Sequence, residues 1–260
     1  DGSVIKLRDS NEAKKAYLNT EEIIYLGDIL FSFGDVKNRN YELISPGYVE
    51  EWWALELKKA SEGKEFADKL NVAFENAVEF SERYKITLHP EYIYYWNEID
   101  YDGFLGLIDW ICHGDFVDGK LILPYTKNDR ERFVKGKRAL ELLGCEHSVS
   151  IEHVIVMGQA LLFNLGVNTR NFKEDIEITS AKIKEIGEMN ILDIVNKLCR
   201  AKIKDKSGSF IGARMGRPEK AKLRKLVGSP HVLFPVGDEG GRLRSFQEAM
   251  ERGAVNAEFP

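Results

Sequence analysis

The residues best suited to chemistry lie together in Phe210-Ile-Gly-Ala-Arg-Met-Gly-Arg-Pro-Glu-Lys-Ala-Lys-Leu-Arg-Lys225. Gly212 and Gly216 permit unusual backbone angles and the close approach of a ligand. Arg214 and Arg217, in the loop between and after them, carry planar forks of donors that match phosphate oxygens. Pro218 suits the first turn of a helix and Glu219 suits its positive end. Along that helix Leu223, Leu226 and Val227 fall on one arc of about 100°, the usual core-facing width. Lys220, Lys222, Arg224 and Lys225 fill the remainder. Such a set can hold a phosphate or a nucleic-acid backbone. The plainer alternative is a solvated basic helix.

Charge sharpens the choice. The 260 residues carry 37 Lys and Arg against 42 Asp and Glu, a net charge of −5. From Arg200 to Lys225, ten basic residues face only Asp205 and Glu219, so this stretch holds +8 and the remainder −13. A mildly acidic total therefore excludes no polyanionic partner, because the local patch decides. Each phosphate neutralised would steepen the log–log salt dependence of binding by about 0.9.

Other constellations read more simply as structure. Asp100-Tyr-Asp102 could hold Mg²⁺ for phosphoryl transfer, but it directly precedes the apolar Phe104-Leu-Gly-Leu-Ile108, where acidic residues cap helices. Cys112-His113, Cys145-Glu-His147 and His153 lack the close-pair spacings of a zinc site. The histidines have no nucleophile context, and Gly237-Asp-Glu-Gly-Gly241 has neither Walker nor dinucleotide spacing. Trp52-Trp53 and Tyr92-Ile-Tyr-Tyr-Trp96 could stack on bases; core packing is their default. Three cysteines give no pairing framework and suit a reducing compartment.

The elements that must position the basic segment are helical first. Apolar spacing predicts a helix within Asn11–Asp35, with Thr20 or Gly27 as a break, then helices across Tyr48–Tyr84 split at Ser61-Glu-Gly63. Short extended pieces are expected at Ile86–Leu88 and Tyr92–Trp96, and a helix from about Asp102 to Cys112. Gly136-Lys-Arg-Ala-Leu-Glu-Leu-Leu-Gly144 matches Gly158-Gln-Ala-Leu-Leu-Phe-Asn-Leu-Gly166 at an offset of 22 residues. Each copy reads as a helix ending on a left-handed glycine cap, preceded by a strand at Lys120–Leu123 or Glu152–Ile155. A helix follows at Asn190–Arg200. Glycines then become frequent, with β-like runs at Ser209–Ile211, His231–Phe234 and Ala254–Ala257 and a helix at about Ser245–Arg252. The fold class is α+β, in three parts: a helical region 1–118, small α/β units 119–205, and a basic β-rich start 206–260. No apolar run reaches the roughly 18 residues of a membrane-spanning helix. The abrupt ends, Asp1-Gly-Ser-Val4 and Glu258-Phe-Pro260, suggest a piece of something longer.

Ile211-Gly-Ala-Arg-Met-Gly-Arg-Pro-Glu-Lys-Ala-Lys222 closely resembles the large, polymerising subunit of the archaeal D-family DNA polymerases. Leu26-Gly-Asp-Ile-Leu30 with Ser32-Phe-Gly-Asp35, Gly47-Tyr-Val-Glu-Glu-Trp-Trp53, and His231-Val-Leu-Phe-Pro-Val-Gly237 followed by Gly240-Gly241 agree in order. The resemblance implies a helix-rich accessory region followed by the beginning of a double-psi β-barrel of the two-barrel polymerase type. It makes Arg214, Arg217, Lys220, Lys222, Arg224 and Lys225 the candidates for contact with DNA or nucleotide phosphates. It implies Mg²⁺-dependent nucleotidyl transfer in the complete subunit, and primer–template DNA, dNTPs and a small exonuclease subunit as partners, with sliding clamp and primase as further ones. The cytoplasmic location is expected from the cysteine usage instead. The family's Asn-x-Asp-Gly-Asp-Glu-Asp signature and Cys-x-x-Cys zinc sites are missing here and are expected beyond Pro260. No catalytic residue or metal ligand is therefore assigned in this stretch, and the 260 residues alone are expected to be inactive. The competing reading is a non-catalytic assembly region that contacts the small exonuclease subunit or other replication proteins.

Overall fold

The computed structural model describes residues 2–25, 29–32, 47–63, 71–206, 211–214, 251 and 253. Asp9 opens the first helix, α1 (Ser10–Ala16), by accepting the backbone N–H of Asn11 at 2.7 Å and of Glu12 at 2.8 Å. One 3₁₀ turn, Tyr17–Asn19, follows, and Thr20 then turns extended while its hydroxyl donates to the Ala16 carbonyl at 2.9 Å. The helix expected across Asn11–Asp35 thus stops at Thr20, the first of its two foreseen breaks. Its later portion is instead a strand, β1 (Ile29–Ser32), because a contiguous apolar run suits strand pairing as well as a helical face. Helix α1 buries no residue, so its apolar spacing marks no core contact.

Helix α2 (Glu50–Ala60) buries Trp53 and Leu57, and ends at Ser61 with Gly63 at φ 79°. Helix α3 (Phe74–Tyr84) closes on Lys85, which itself adopts a left-handed conformation. The split at 61–63 is therefore as the sequence predicts. Thr87 forms a parallel bridge with Lys202, so Ile86–Leu88 is partly extended as expected. Tyr92–Trp96 is not a strand: Pro90–Tyr92 and Trp96–Glu98 are 3₁₀ turns. Pro90 nucleates the first of them, since its fixed φ suits a helical first turn and it has no N–H to give a ladder.

Helix α4 (Tyr101–Cys112) begins where Asp100 accepts the N–H of Gly103 at 2.7 Å. Helix α5 (Lys127–Arg132) opens on a capping box of Thr126 and Asp129. Then come α6 (Val134–Leu142), α7 (Gln159–Asn164), α8 (Phe172–Ile186) and α9 (Ile191–Leu198). Between them lies an antiparallel sheet of β2 (Asp115–Val117), β3 (Lys120–Pro124), β4 (His147–Val149) and β5 (His153–Val156), in the order β2-β3-β5-β4. The β2–β3 hairpin turns on Asp118 and Gly119, both at positive φ, the pair that matches right-handed strand twist.

The two copies of the 22-residue pattern share this one sheet. Strand β3 precedes α6 and β5 precedes α7, and β3 and β5 are direct neighbours. Each helix ends on its glycine, Gly144 at φ 67° and Gly166 at φ 71°. Leu121, Leu123, Val154 and Val156 bury the sheet's inner face. Helices α4 and α6 cross at two glycines, where a Cβ on Gly136 would sit 2.6 Å from the Gly106 carbonyl oxygen.

A single core joins residues from Tyr48 to Ile203. Trp53, Trp96 and Trp110 lie fully within it, and each indole N–H has an acceptor: Thr87 O at 3.0 Å, Asn164 Oδ1 at 3.1 Å and Pro124 O at 2.8 Å. Buried indoles require such partners, since an orphaned donor costs about 1–3 kcal/mol. The described residues are thus mixed helix and small sheet, in line with α+β. Strand β6 (Ile211–Arg214) pairs in parallel with β1 in a separate two-stranded sheet. The predicted strands at His231–Phe234 and Ala254–Ala257 lie outside the described residues, as does the helix at Ser245–Arg252 apart from the helical Glu251. No helix among the described residues is long and apolar enough to cross a membrane.

Candidate nucleic-acid interface

Of the six candidate phosphate ligands, Arg214 ends β6, with its backbone in register with Ser32 of β1. Arg217, Lys220, Lys222, Arg224 and Lys225 lie outside the described residues. What the structure describes is the root of the basic segment, residues 200–206, and how it is fastened to the helical body.

That fastening is a short extended run. Leu88 donates its backbone N–H to the Lys202 carbonyl at 2.9 Å. The Asn196 side chain brackets Ile203, accepting its N–H at 2.8 Å and donating to its carbonyl at 3.0 Å. Ala201 and Ile203 are buried while Lys202 faces outward. Arg200 also reaches outward: its side chain is 72% exposed, 3.9 Å from a Glu82 carboxylate oxygen. Its guanidinium lies 5.4 Å from the centre of the Phe163 ring. An exposed pair at that distance contributes little, about 0–1 kcal/mol.

The next two lysines turn inward. Lys204 pairs with Glu56, and its ammonium stands 4.6 Å from the centre of the Tyr48 ring and 4.8 Å from that of Trp52. Burial opposes ionisation of Glu56, but the hydrogen bonds from Lys204 and from Tyr48 Oη at 2.7 Å outweigh it and hold the carboxyl below its usual range. Burial, with the Glu56 hydrogen bond, pushes the Tyr48 phenol well above its own. Lys206 donates to the carbonyls of Pro90 at 2.9 Å and Ile93 at 3.1 Å, with the Tyr95 ring centre at 5.5 Å. Counting charges treats Lys204 and Lys206 as free cations. The alternation of Ala201-Lys-Ile-Lys-Asp-Lys206 would, as a strand, set both beside the exposed Lys202, so the inward turn has no signal in the local sequence.

The remaining constellations are structural where they are described. Asp100 is the cap of α4 that its position predicts, and Asp102 pairs with Lys135 at 2.8 Å. That hydrogen bond and the lysine charge draw Asp102 below the usual carboxylate range. With both carboxylates engaged, this pair does not fit a Mg²⁺ site. Cys112, Cys145 and Cys199 are free thiols. Burial pushes Cys145 up to about 12 and Cys199 up to about 11, so neither supplies a thiolate near neutrality. Among the described residues no group of three His, Cys, Asp or Glu side chains could hold a metal ion. Of the aromatic clusters, Trp53 and Trp96 are core, Tyr92 and Tyr94 pack on it, and Trp52 is 41% exposed at the edge of the Lys204 pocket.

The sequence matches, over residues 1–259, the family described as "DNA polymerase II large subunit DP2, central domain". It is 33% identical over 256 residues to the DNA polymerase II large subunit of Archaeoglobus fulgidus, which covers 96% of this chain and 21% of that protein. It is 32% identical to the protein of the same name from Nanoarchaeum equitans, covering 100% of this chain and 23% of that one. With the Pyrococcus horikoshii protein of that name the identity is 35%, covering 98% and 20%. The chain therefore spans about a fifth of the length of the curated relatives it matches.

Proposed function

The chain belongs to the central-domain family of the DNA polymerase II large subunit, and on that premise we propose that it is the part of a DNA polymerase that seats nucleic-acid or nucleotide phosphates beside the catalytic centre. The observation that carries this is the +8 segment from Arg200 to Lys225, set in a chain whose remainder is −13 and rooted by its first residues on the helical body. Arg214, Arg217, Lys220, Lys222, Arg224 and Lys225 are its phosphate ligands. Guanidinium forks would orient the backbone, and the added lysine charges would hold a polyanion that the acidic body alone would repel.

The complete subunit, in this reading, transfers a nucleotide to a primer 3′ end with Mg²⁺ bound by carboxylates outside these 260 residues. Residues 206–260 begin a double-psi β-barrel, for which the parallel β1–β6 pair is the supporting contact. Residues 1–118 are the helical accessory region and 119–205 the paired small units. Primer–template DNA and dNTPs are the ligands, the small exonuclease subunit is the protein partner, sliding clamp and primase are further contacts, and the cytoplasm is the compartment.

The test is binding of primed DNA by the full-length large subunit across a salt series. Arg217→Ala is expected to lower affinity and to reduce the log–log salt slope by about 0.9, and Lys220→Ala/Lys222→Ala by about twice that. Unchanged affinity and slope in both would overturn the reading and leave an assembly role, contact with the small exonuclease subunit, in its place. Primer extension by the 260 residues alone with Mg²⁺ would overturn the placement of the carboxylates elsewhere.

A further inference from the structure

Ten basic residues from Arg200 to Lys225 read alike in the sequence, yet among those whose side chains are described, Lys204 and Lys206 turn inward where Arg200 and Lys202 do not. The Lys206 ammonium is enclosed by the carbonyls of Pro90 and Ile93, at 2.9 and 3.1 Å, and by the face of Tyr95. An ammonium has three donors, and two carbonyls with one π face match them. Lys204 is held by Glu56 under the rings of Tyr48 and Trp52. Neither group can reach a phosphate without leaving these partners.

The two lysines grip different elements. Lys204 holds the chain to α2, and Lys206 holds it to the turn at 90–93. Ile211 lies five positions after Lys206, a span of at most about 18 Å when fully extended. Fixing Lys206 therefore confines where β6 begins, and the β1 pairing fixes its direction from there to Arg214. Stability alone does not account for a lysine in such a place. Burial pushes its ammonium down to about 8, with Lys6 nearby adding to the effect and Glu91, Glu50 and Glu146 opposing it. A charge disfavoured by its own surroundings gains the fold little and fixes geometry instead.

We infer that Lys204 and Lys206 are positioning residues that clasp the root of the basic segment to the helical body and so set where Arg214 and the cations after it meet phosphate, and that they are not themselves phosphate ligands. This rests on the phosphate-contact reading above, and the two fail separately. In the full-length large subunit, primed-DNA affinity is measured across a salt series on the active fraction, beside thermal unfolding. Lys206→Met and Lys204→Met are expected to weaken binding about tenfold at every salt concentration with the slope held. Each should melt within about 3 °C of the wild type. Lys204→Arg, which keeps the charge beneath both rings, is expected to restore affinity. A slope reduced by about 0.9 in either Met variant would make that lysine a phosphate ligand and overturn the inference. Unchanged affinity in both Met variants, with the slope lost in Arg217→Ala, would overturn the clasp alone. An unchanged slope in Arg217→Ala and in Lys220→Ala/Lys222→Ala overturns the phosphate-contact reading, and the clasp with it.

Discussion

Trp96 and Asn164 satisfy each other in the middle of the core: the indole N–H donates to Oδ1 at 3.1 Å, and both side chains are almost wholly buried. The amide nitrogen of Asn164 donates in turn to Tyr92 O at 2.9 Å and Ala160 O at 2.7 Å. One amide thus ties the 92–96 segment to α7 across 68 residues of sequence. Asn164→Leu keeps the volume but orphans the indole N–H and the Tyr92 carbonyl. Urea denaturation is expected to record a loss of about 2–4 kcal/mol. A loss below about 1 kcal/mol would mean that the network is not a stability element.

Where α4 and α6 cross, backbone approaches backbone. A methyl on Gly136 would lie 2.6 Å from Gly106 O and 3.0 Å from Gly106 C, and neither can swing aside. Gly136→Ala is therefore expected to lose about 2–3 kcal/mol by forcing the helices apart. Gly119→Ala, where φ is 77° and nothing lies within 4 Å, should lose only about 1 kcal/mol through backbone strain. Equal losses would refute the steric account.

His147 is 5% exposed, with Nδ1 2.7 Å from the Cys145 carbonyl and Nε2 unpartnered. Burial, then the charge of Lys137, pushes it down to about 4, against an opposing influence of Glu141. The unfolded chain takes up this proton near pH 6.5 and the folded one only near 4, so the unfolded state binds more protons between them. The stability due to His147 is complete above about 6.5 and is lost as pH falls toward 4, on the order of 3 kcal/mol. His147→Gln should flatten that part of the pH–stability curve, and a curve of unaltered slope would refute the assignment.

Lys137, also 5% exposed, donates to Gly2 O at 2.7 Å and to Glu141 Oε1 at 2.6 Å. It pins the first residues against the sheet, where Val4 and His147 exchange backbone hydrogen bonds of 3.0 and 3.1 Å. Lys137→Met should speed hydrogen exchange at the Val4 and His147 amides at least about tenfold while β3 and β5 keep their protection. Removing this charge should also raise the lower edge of that window, near 4, and so shrink the stability that His147 loses. Unchanged exchange at Val4 would refute the pin.

The sequence made some of this legible because the governing physics is local. Asp100 ahead of an apolar run is a cap in any context, and Gly144 and Gly166 end their helices because a left-handed residue closes the last turn. Trp53 and Trp96 followed from their size. What stayed hidden depended on partners far along the chain. Ile29–Ser32 is apolar enough for either helix or strand, and only its pairing with Ile211–Arg214 decides. Ile176-Glu-Ile-Thr179 alternates like a strand, yet it lies in α8, where Ile176, Thr179 and Ile183 form the buried stripe. For the candidate interface, the charge contrast and the motif were readable. The inward turn of Lys204 and Lys206 was not, since Glu56 and the Pro90 and Ile93 carbonyls are more than 100 positions away.

The β1–β6 pair has a kinetic consequence. Ile29 meets Ile211 about 180 positions later, so joining them closes a loop that contains the core from Tyr48 to Ile203. A two-stranded ribbon of four residues a side cannot repay that closure entropy while the intervening chain is unfolded. The helices and the antiparallel sheet must collapse first and bring the two ends within reach. The strand that leads into the arginines is thus among the last to form on folding, and a lesion deep in the body can silence it without touching a single cation.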